Sequence, residues 1–178
     1  MNLVGADAIS IVHLPAIPIT AAAFAPFGQL ISATADGKAY DQDDAALVLD
    51  SGTPRFYIMR LEQNGRQFQR ITRHQRCTQC LGSLGGKTWL LAVAPPSQGV
   101  LLPEQIRAFV ISGDCLIKLH VGTWHAGPYF SDSEWIDFYN LELTDTNIND
   151  HDTVDLQAEY AMSFVMDRQF EVKTNKFN

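Results

Sequence analysis

The 178-residue sequence has no long apolar stretch. Its nearly continuous apolar run, Thr88 to Ala94, is far too short to cross a bilayer as a helix. No basic opening followed by an apolar segment begins the chain, which predicts no signal peptide, a cytoplasmic protein and no membrane partner. Cysteine is scarce: Cys77, Cys80 and Cys115 form an odd set, which argues for reduced thiols rather than disulfides. The Cys77–Cys80 pair has no second pair to complete a zinc ribbon, and it lies in a strand-like stretch rather than opening a helix as a redox pair does. Basic residues are the minority, 13 against 20 acidic, giving a net charge of −7. Such a surface repels phosphate backbones, so nucleic acid is excluded as an expected partner. Much of the excess acid lies between Asp145 and Asp155, with Asp150 and Asp152 among it, and reads as a solvated loop.

What is present is an ordinary globular composition, 46% hydrophobic and 19% charged, in a length that suits one domain over residues 1–178. One helical region stands out. Thr20 can cap a short helix through Ala21-Ala22-Ala23-Phe24, which Pro26 and Gly28 end. Residues 33–54 read as loop with one short strand near Ala46 to Leu49. From Phe56 onward the pattern is that of strands: Phe56 to Met59, Phe68 to Ile71, Cys77 to Leu81, Thr88 to Ala94, Ile106 to Ile111, Cys115 to Val121, Trp135 to Leu143 and Tyr160 to Val165. Asn64-Gly65, Gly85-Gly86 and Gly113-Asp114 supply turns, and Pro95-Pro96 stops the apolar strand, which reads as buried on both faces. Short strands without intervening helices predict an all-β sandwich or barrel.

The chemistry concentrates between Gly113 and Tyr129. His120 falls near a strand end, Gly122 permits a bend, and His125 follows it, so the two rings are expected to return to one side. Lys118 and His120 share a face on a regular strand. A lysine and two imidazoles around one hollow suit an anionic substrate that needs proton transfer. A second segment, Arg73 to Gln79, carries His74 between two arginines. Alone it reads equally well as a solvated strand.

Together the two segments resemble the paired motifs of the cupins. In the first, His74 takes the second histidine, Gln79 the glutamate position and Gly86 the closing glycine, with Thr72 in place of the first histidine. In the second, His120 stands at the proline, Gly122 at the glycine, His125 at the histidine and Tyr129 at the asparagine, with Gly113 one residue early. The resemblance implies a cupin-type double-stranded β-helix, a jelly-roll barrel with a short N-terminal helix.

A narrower resemblance is to the ureidoglycolate lyase family. It rests on Thr20, Phe24, Phe27 and Gly28; on Arg73, His74, Thr78 and Gln79; on Val93-Ala94 and Ala108-Phe109; and on His120, Trp124, His125 and Asp137-Phe138, in the family's order. Ala126-Gly127 replaces the second histidine usual after Trp-His, Lys118-Leu119 replaces Asn-Tyr, Glu142 replaces an aspartate, and Thr144 to Asn147 replaces a Gly-rich tail. The resemblance implies a dimeric enzyme of purine and allantoin breakdown that splits ureidoglycolate, a small carboxylate, into glyoxylate and urea. His125 or His120 would then move protons, Lys118 or Arg73 would bind the carboxylate, Gln79 the ureido group, and Trp124 would wall the pocket, with His74 and Tyr129 also against substrate. It also implies a divalent metal such as nickel, for which His74, Gln79, His120 and His125 are the candidates, with Thr72 at the fourth cupin position and Glu142 as an added carboxylate. Two imidazoles and a neutral amide make a weak set, which argues against a stoichiometric metal. The alternatives are a cupin enzyme for another small hydroxy or keto acid, and a non-catalytic cupin that binds a small anion.

Overall fold

The computed structural model describes residues 8–168. In chain order the strands are β1 (Ser10–Pro18), β2 (Gly28–Ile31), β3 (Pro54–Glu62), β4 (Gln67–Phe68), β5 (Arg70–Arg73), β6 (Gln79–Ser83), β7 (Gly86–Ala94), β8 (Arg107–Gly113), β9 (Leu116–Leu119), β10 (Trp124–Tyr129), β11 (Trp135–Leu143), β12 (Asp152–Asp155) and β13 (Met162–Arg168). Among the described residues three short α-helices join them, α1 (Ala21–Phe24), α2 (Thr146–Asn149) and α3 (Leu156–Tyr160), with one 3-10 turn over Pro103–Gln105. Among the described residues the strands form a larger sheet, ordered β12-β5-β10-β7-β8-β1-β13-β4, and a smaller one, ordered β2-β9-β6-β11-β3. The architecture is all-β, two sheets packed around apolar cores.

Strand β7 explains why its sequence is apolar almost throughout. Trp89, Leu91 and Val93 point between the sheets, where they meet Leu81, Phe109, Ile117, Leu119 and Phe138. Leu90, Ala92 and Ala94 point the other way, into a second core with Ile71, Trp124, Phe164 and Met166. A period-2 strand between two cores must be hydrophobic on both faces. Helix α1 closes one end of the barrel. Thr20 Oγ1 accepts the Ala23 N–H at 3.2 Å, and Phe24 packs edge-on against Phe109 with ring centres 5.4 Å apart. Gly28 follows where the backbones of β2 and β9 nearly touch. A Cβ there would lie 2.0 Å from the Lys118 carbonyl oxygen.

Several local expectations change. β1 pairs in parallel with both β8 and β13, although the N-terminal region reads only as helical. Pro15 and Pro18 obscure it, because proline argues against an interior strand. The stretch near Ala46 to Leu49 is not a strand. Val48 instead exchanges hydrogen bonds with Thr78: its N–H donates to Thr78 Oγ1 and its carbonyl accepts the Thr78 N–H, each at 3.0 Å. Cys77 lies outside β6, and all three cysteines are buried and free. The acidic segment is not a solvated loop either. It forms α2 and β12, and Asp150 is buried.

Candidate active site

Strand parity selects which polar side chains enter the barrel. His125 lies opposite Val93 of β7 and Thr72 of β5, on the face between the sheets. On the smaller sheet Gln79 lies opposite Leu119, and Asn140 opposite Leu81, again on the inner face. Glu142, two residues beyond Asn140 on β11, shares that face.

The bend at Gly122 joins the two histidine segments. Its φ is +81°, a conformation glycine adopts without strain. Its N–H donates to the His74 carbonyl at 2.7 Å. The His74 and His125 rings are thereby held with their centres 5.0 Å apart, and His151 stands 5.8 Å from His74 on the exposed side. His74 Nδ1–H donates to the Asp150 carbonyl, and His125 Nδ1–H donates to the Thr123 carbonyl at 3.2 Å. A carbonyl only accepts, so both rings carry their proton on Nδ1 and present a free Nε2 lone pair. Burial pushes the His125 imidazole down to about 3, helped by neighbouring His74 and His151. His74 is also lowered, chiefly by burial. Both rings are therefore neutral at physiological pH.

Asp150 fixes this arrangement from below. Its carboxylate accepts the backbone N–H groups of Gln75 at 2.6 Å and Arg76 at 2.8 Å, while its carbonyl orients His74. Facing the histidines is a network around Glu142, which is 1% exposed. Its carboxylate accepts from Gln79 Nε2 at 3.0 Å, Asn140 Nδ2 at 3.2 Å, Tyr57 Oη at 3.2 Å and Asn147 Nδ2 at 3.4 Å. Arg55 approaches it to 4.0 Å from the solvent side. The Glu142 charge favours the protonated form of His74, a small effect against that of burial.

Other residues expected at this site lie elsewhere. Lys118 is in register with Cys80 and Gln29, on the outer face of the smaller sheet. It is buried there, beside the loop that Gln29 meets through its hydrogen bond to the Asp44 carbonyl at 3.3 Å. His120 is with Lys118, as their shared strand face predicts, and its Nε2 meets the Ala25 carbonyl at 3.3 Å. The Gly122 bend thus sends His120 and His125 to opposite faces rather than to one side. Trp124 and Arg73 belong to the second core. Arg73 lies over the Trp124 ring at 4.3 Å, donates to the Ser97 carbonyl and pairs with Asp152 at 2.7 Å. Tyr129 packs on Phe68 and lines a separate surface cleft of about 530 Å³ with Asn64 and Arg70. His151, Asp150, Asn140, Tyr57 and Arg55 are members of the site that no motif signalled.

A nickel-type site is not supported by this donor set. The matched positions bring His74 and His125 together, but His120 is on the far face. Gln79 turns its amide nitrogen to Glu142, and Thr72 shares a hydrogen bond of 2.7 Å with Thr153. No three His, Cys, Asp or Glu side chains among the described residues are arranged to hold a metal ion. Elemental analysis of protein purified without a metal-affinity step is expected to give far less than one metal per chain. A stoichiometric metal would mean that further donors join the free Nε2 atoms of His74 and His125.

The ureidoglycolate lyase family model matches residues 11–163. The chain belongs to the ureidoglycolate lyase family. It is therefore an enzyme of a lyase family. A curated ureidoglycolate lyase from Azotobacter vinelandii is 27% identical over 120 residues, spanning 61% of this chain and 72% of that protein. Among solved structures, RmlC from Streptococcus suis in complex with dTDP-D-xylose aligns with a TM-score of 0.38 at 11% identity, over 50% of this chain and 43% of that one. A Lactobacillus farciminis oxalate decarboxylase formate complex aligns with a TM-score of 0.39 at 10% identity, over 64% of this chain and 31% of that one. This member of the ureidoglycolate lyase family spans less than half of each of those two chains. No helix among its described residues is long and apolar enough to cross a membrane.

Proposed function

We infer that this enzyme cleaves ureidoglycolate to glyoxylate and urea. The reading rests on the His74–His125 pair, two buried neutral imidazoles with free Nε2 lone pairs, in a chain of this family. The substrate carries a carboxylate, a hydroxyl and a ureido nitrogen on one carbon. Cleavage moves the hydroxyl proton to the leaving nitrogen while the C–O bond becomes a carbonyl and the C–N bond breaks. Overall, no proton enters or leaves.

One imidazole can perform both transfers. His125 takes the hydroxyl proton at Nε2, and the imidazolium so formed is a strong acid because burial opposes its charge. It then returns the proton to the ureido nitrogen, whose departure as neutral urea completes the step. His74, in the same tautomer beside it, supports this exchange. Arg55, at the exposed edge of the network, offers the cation for the carboxylate. The reaction belongs to allantoin and purine breakdown, and we place it in a cytoplasmic homodimer by likeness to the family.

Given ureidoglycolate, the purified protein is expected to release glyoxylate and urea in equal amounts. Ammonia in place of urea would mean hydrolysis rather than elimination. Release of neither product would overturn the assignment and favour another small hydroxy or keto acid.

A further inference from the structure

One polar atom in the site lacks a partner. Gln79 is 7% exposed, and its Oε1 accepts no hydrogen bond among the described residues. The orientation of its amide is set chemically. Nε2 lies 3.0 Å from Glu142 Oε2 and 3.2 Å from Asn140 Oδ1, and both oxygens only accept. Turning the amide over would put oxygen against oxygen at both contacts. Glu142 is itself held by donors from Tyr57, Asn140 and Asn147, so the carboxylate cannot swing away without leaving them unpaired. The amide is locked, and the lock points an acceptor at nothing.

Leaving a buried acceptor unpaired is unfavourable, and a ligand N–H that reaches it recovers much of the cost. The atom is closed to solvent, so admission requires neighbouring side chains to part. Glyoxylate has no N–H group, whereas the urea half of the substrate has several.

We propose that Glu142 is a positioning residue that fixes the Gln79 amide so that its Oε1 receives an N–H of the ureido group and selects ureido substrates. The inference rests on the function read above for the ureido group, but it can be tested separately. Each product is its own probe. On this reading urea occupies the Gln79 side of the site, and glyoxylate the side of the imidazoles.

Product inhibition by urea and by glyoxylate should be measured for wild type, Glu142→Gln and Gln79→Met, with each variant's thermal midpoint recorded. An amide at position 142 can donate as well as accept, so it frees Gln79 to turn over. Both variants are expected to weaken urea inhibition about tenfold while glyoxylate inhibition stays at the wild-type value. Equal weakening for both products would mean that the residues only support the fold, and no change for urea would remove the acceptor role. Both results overturn the proposal. If Glu142→Gln fails to fold, Gln79→Met still decides the acceptor, and Tyr57→Phe, which removes one donor from Glu142, decides the lock through the same split. Should wild type not act on ureidoglycolate, the function falls but this inference can still be judged. Urea titrated into ¹⁵N-labelled wild-type protein must then shift the Gln79 side-chain amide and must bind more weakly to Gln79→Met.

Discussion

His125→Gln is expected to lower turnover of ureidoglycolate by about 10²–10⁴-fold, the usual loss when a positioned acid–base group is removed. Glutamine keeps the polarity of the position but has no group that can take a proton and return it. The neutral, Nδ1-protonated ring presents its lone pair at Nε2, and the burial that makes the first transfer uphill makes the return transfer downhill by the same measure. His120→Gln is the matched control. The two residues are five apart in sequence, yet His120 lies against Ala25 on the outer face of the smaller sheet. Its replacement should leave turnover near wild type. Full activity in His125→Gln, or a large loss only in His120→Gln, would refute the proton-transfer assignment.

The second large effect is on stability in mild acid. His125 has an ordinary value of 6.5 and a folded value of about 3, so the unfolded chain binds the proton first. Stability from this group is complete above about pH 6.5 and is lost progressively as the pH falls toward about 3, at about 1.4 kcal/mol per pH unit. His74 is displaced in the same direction by burial and adds to the loss. For a chain of this size the His125 part lowers the unfolding midpoint by roughly 3–6 °C per pH unit. Between about pH 6.5 and 4.5 most carboxylates remain charged, so the slope in that window reports on histidine. Calorimetry across it should show the decline in wild type and a shallower one in His125→Gln. Parallel curves would mean that His125 is already protonated, or hydrated, in the folded protein.

The histidine pair was only half legible in the sequence. The motif spacing brings His125 on β10 beside His74, which follows β5 directly, and the structure holds their rings 5.0 Å apart. The same spacing recommends His120 equally, because it gives no sense of which way the chain leaves Gly122. The backbone decides this, through the positive φ and the hydrogen bond to His74. Lys118 was misleading for a related reason. A lysine two residues before a histidine shares its face, but which face looks into the barrel depends on Leu119 and Ile117 packing inward. Trp124 faces away from the site because its neighbour His125 faces in.

Composition and strand pattern, by themselves, determined the class: an acidic, all-β chain whose apolar segment Thr88 to Ala94 had to lie between two cores. The motif spacing pointed to the family, and it brought His74 and His125 side by side. These properties are local, since they depend on alternation, turn residues and short spacings along one strand or bend. Tertiary structure decided the rest. It brought Asp150 back beneath His74 across 76 positions, and aligned Tyr57 with Asn140 and Glu142. It also left Gln79 Oε1 without a partner. Those contacts join strands far apart in the chain, and register between such strands is set by how both sheets bury their apolar faces together.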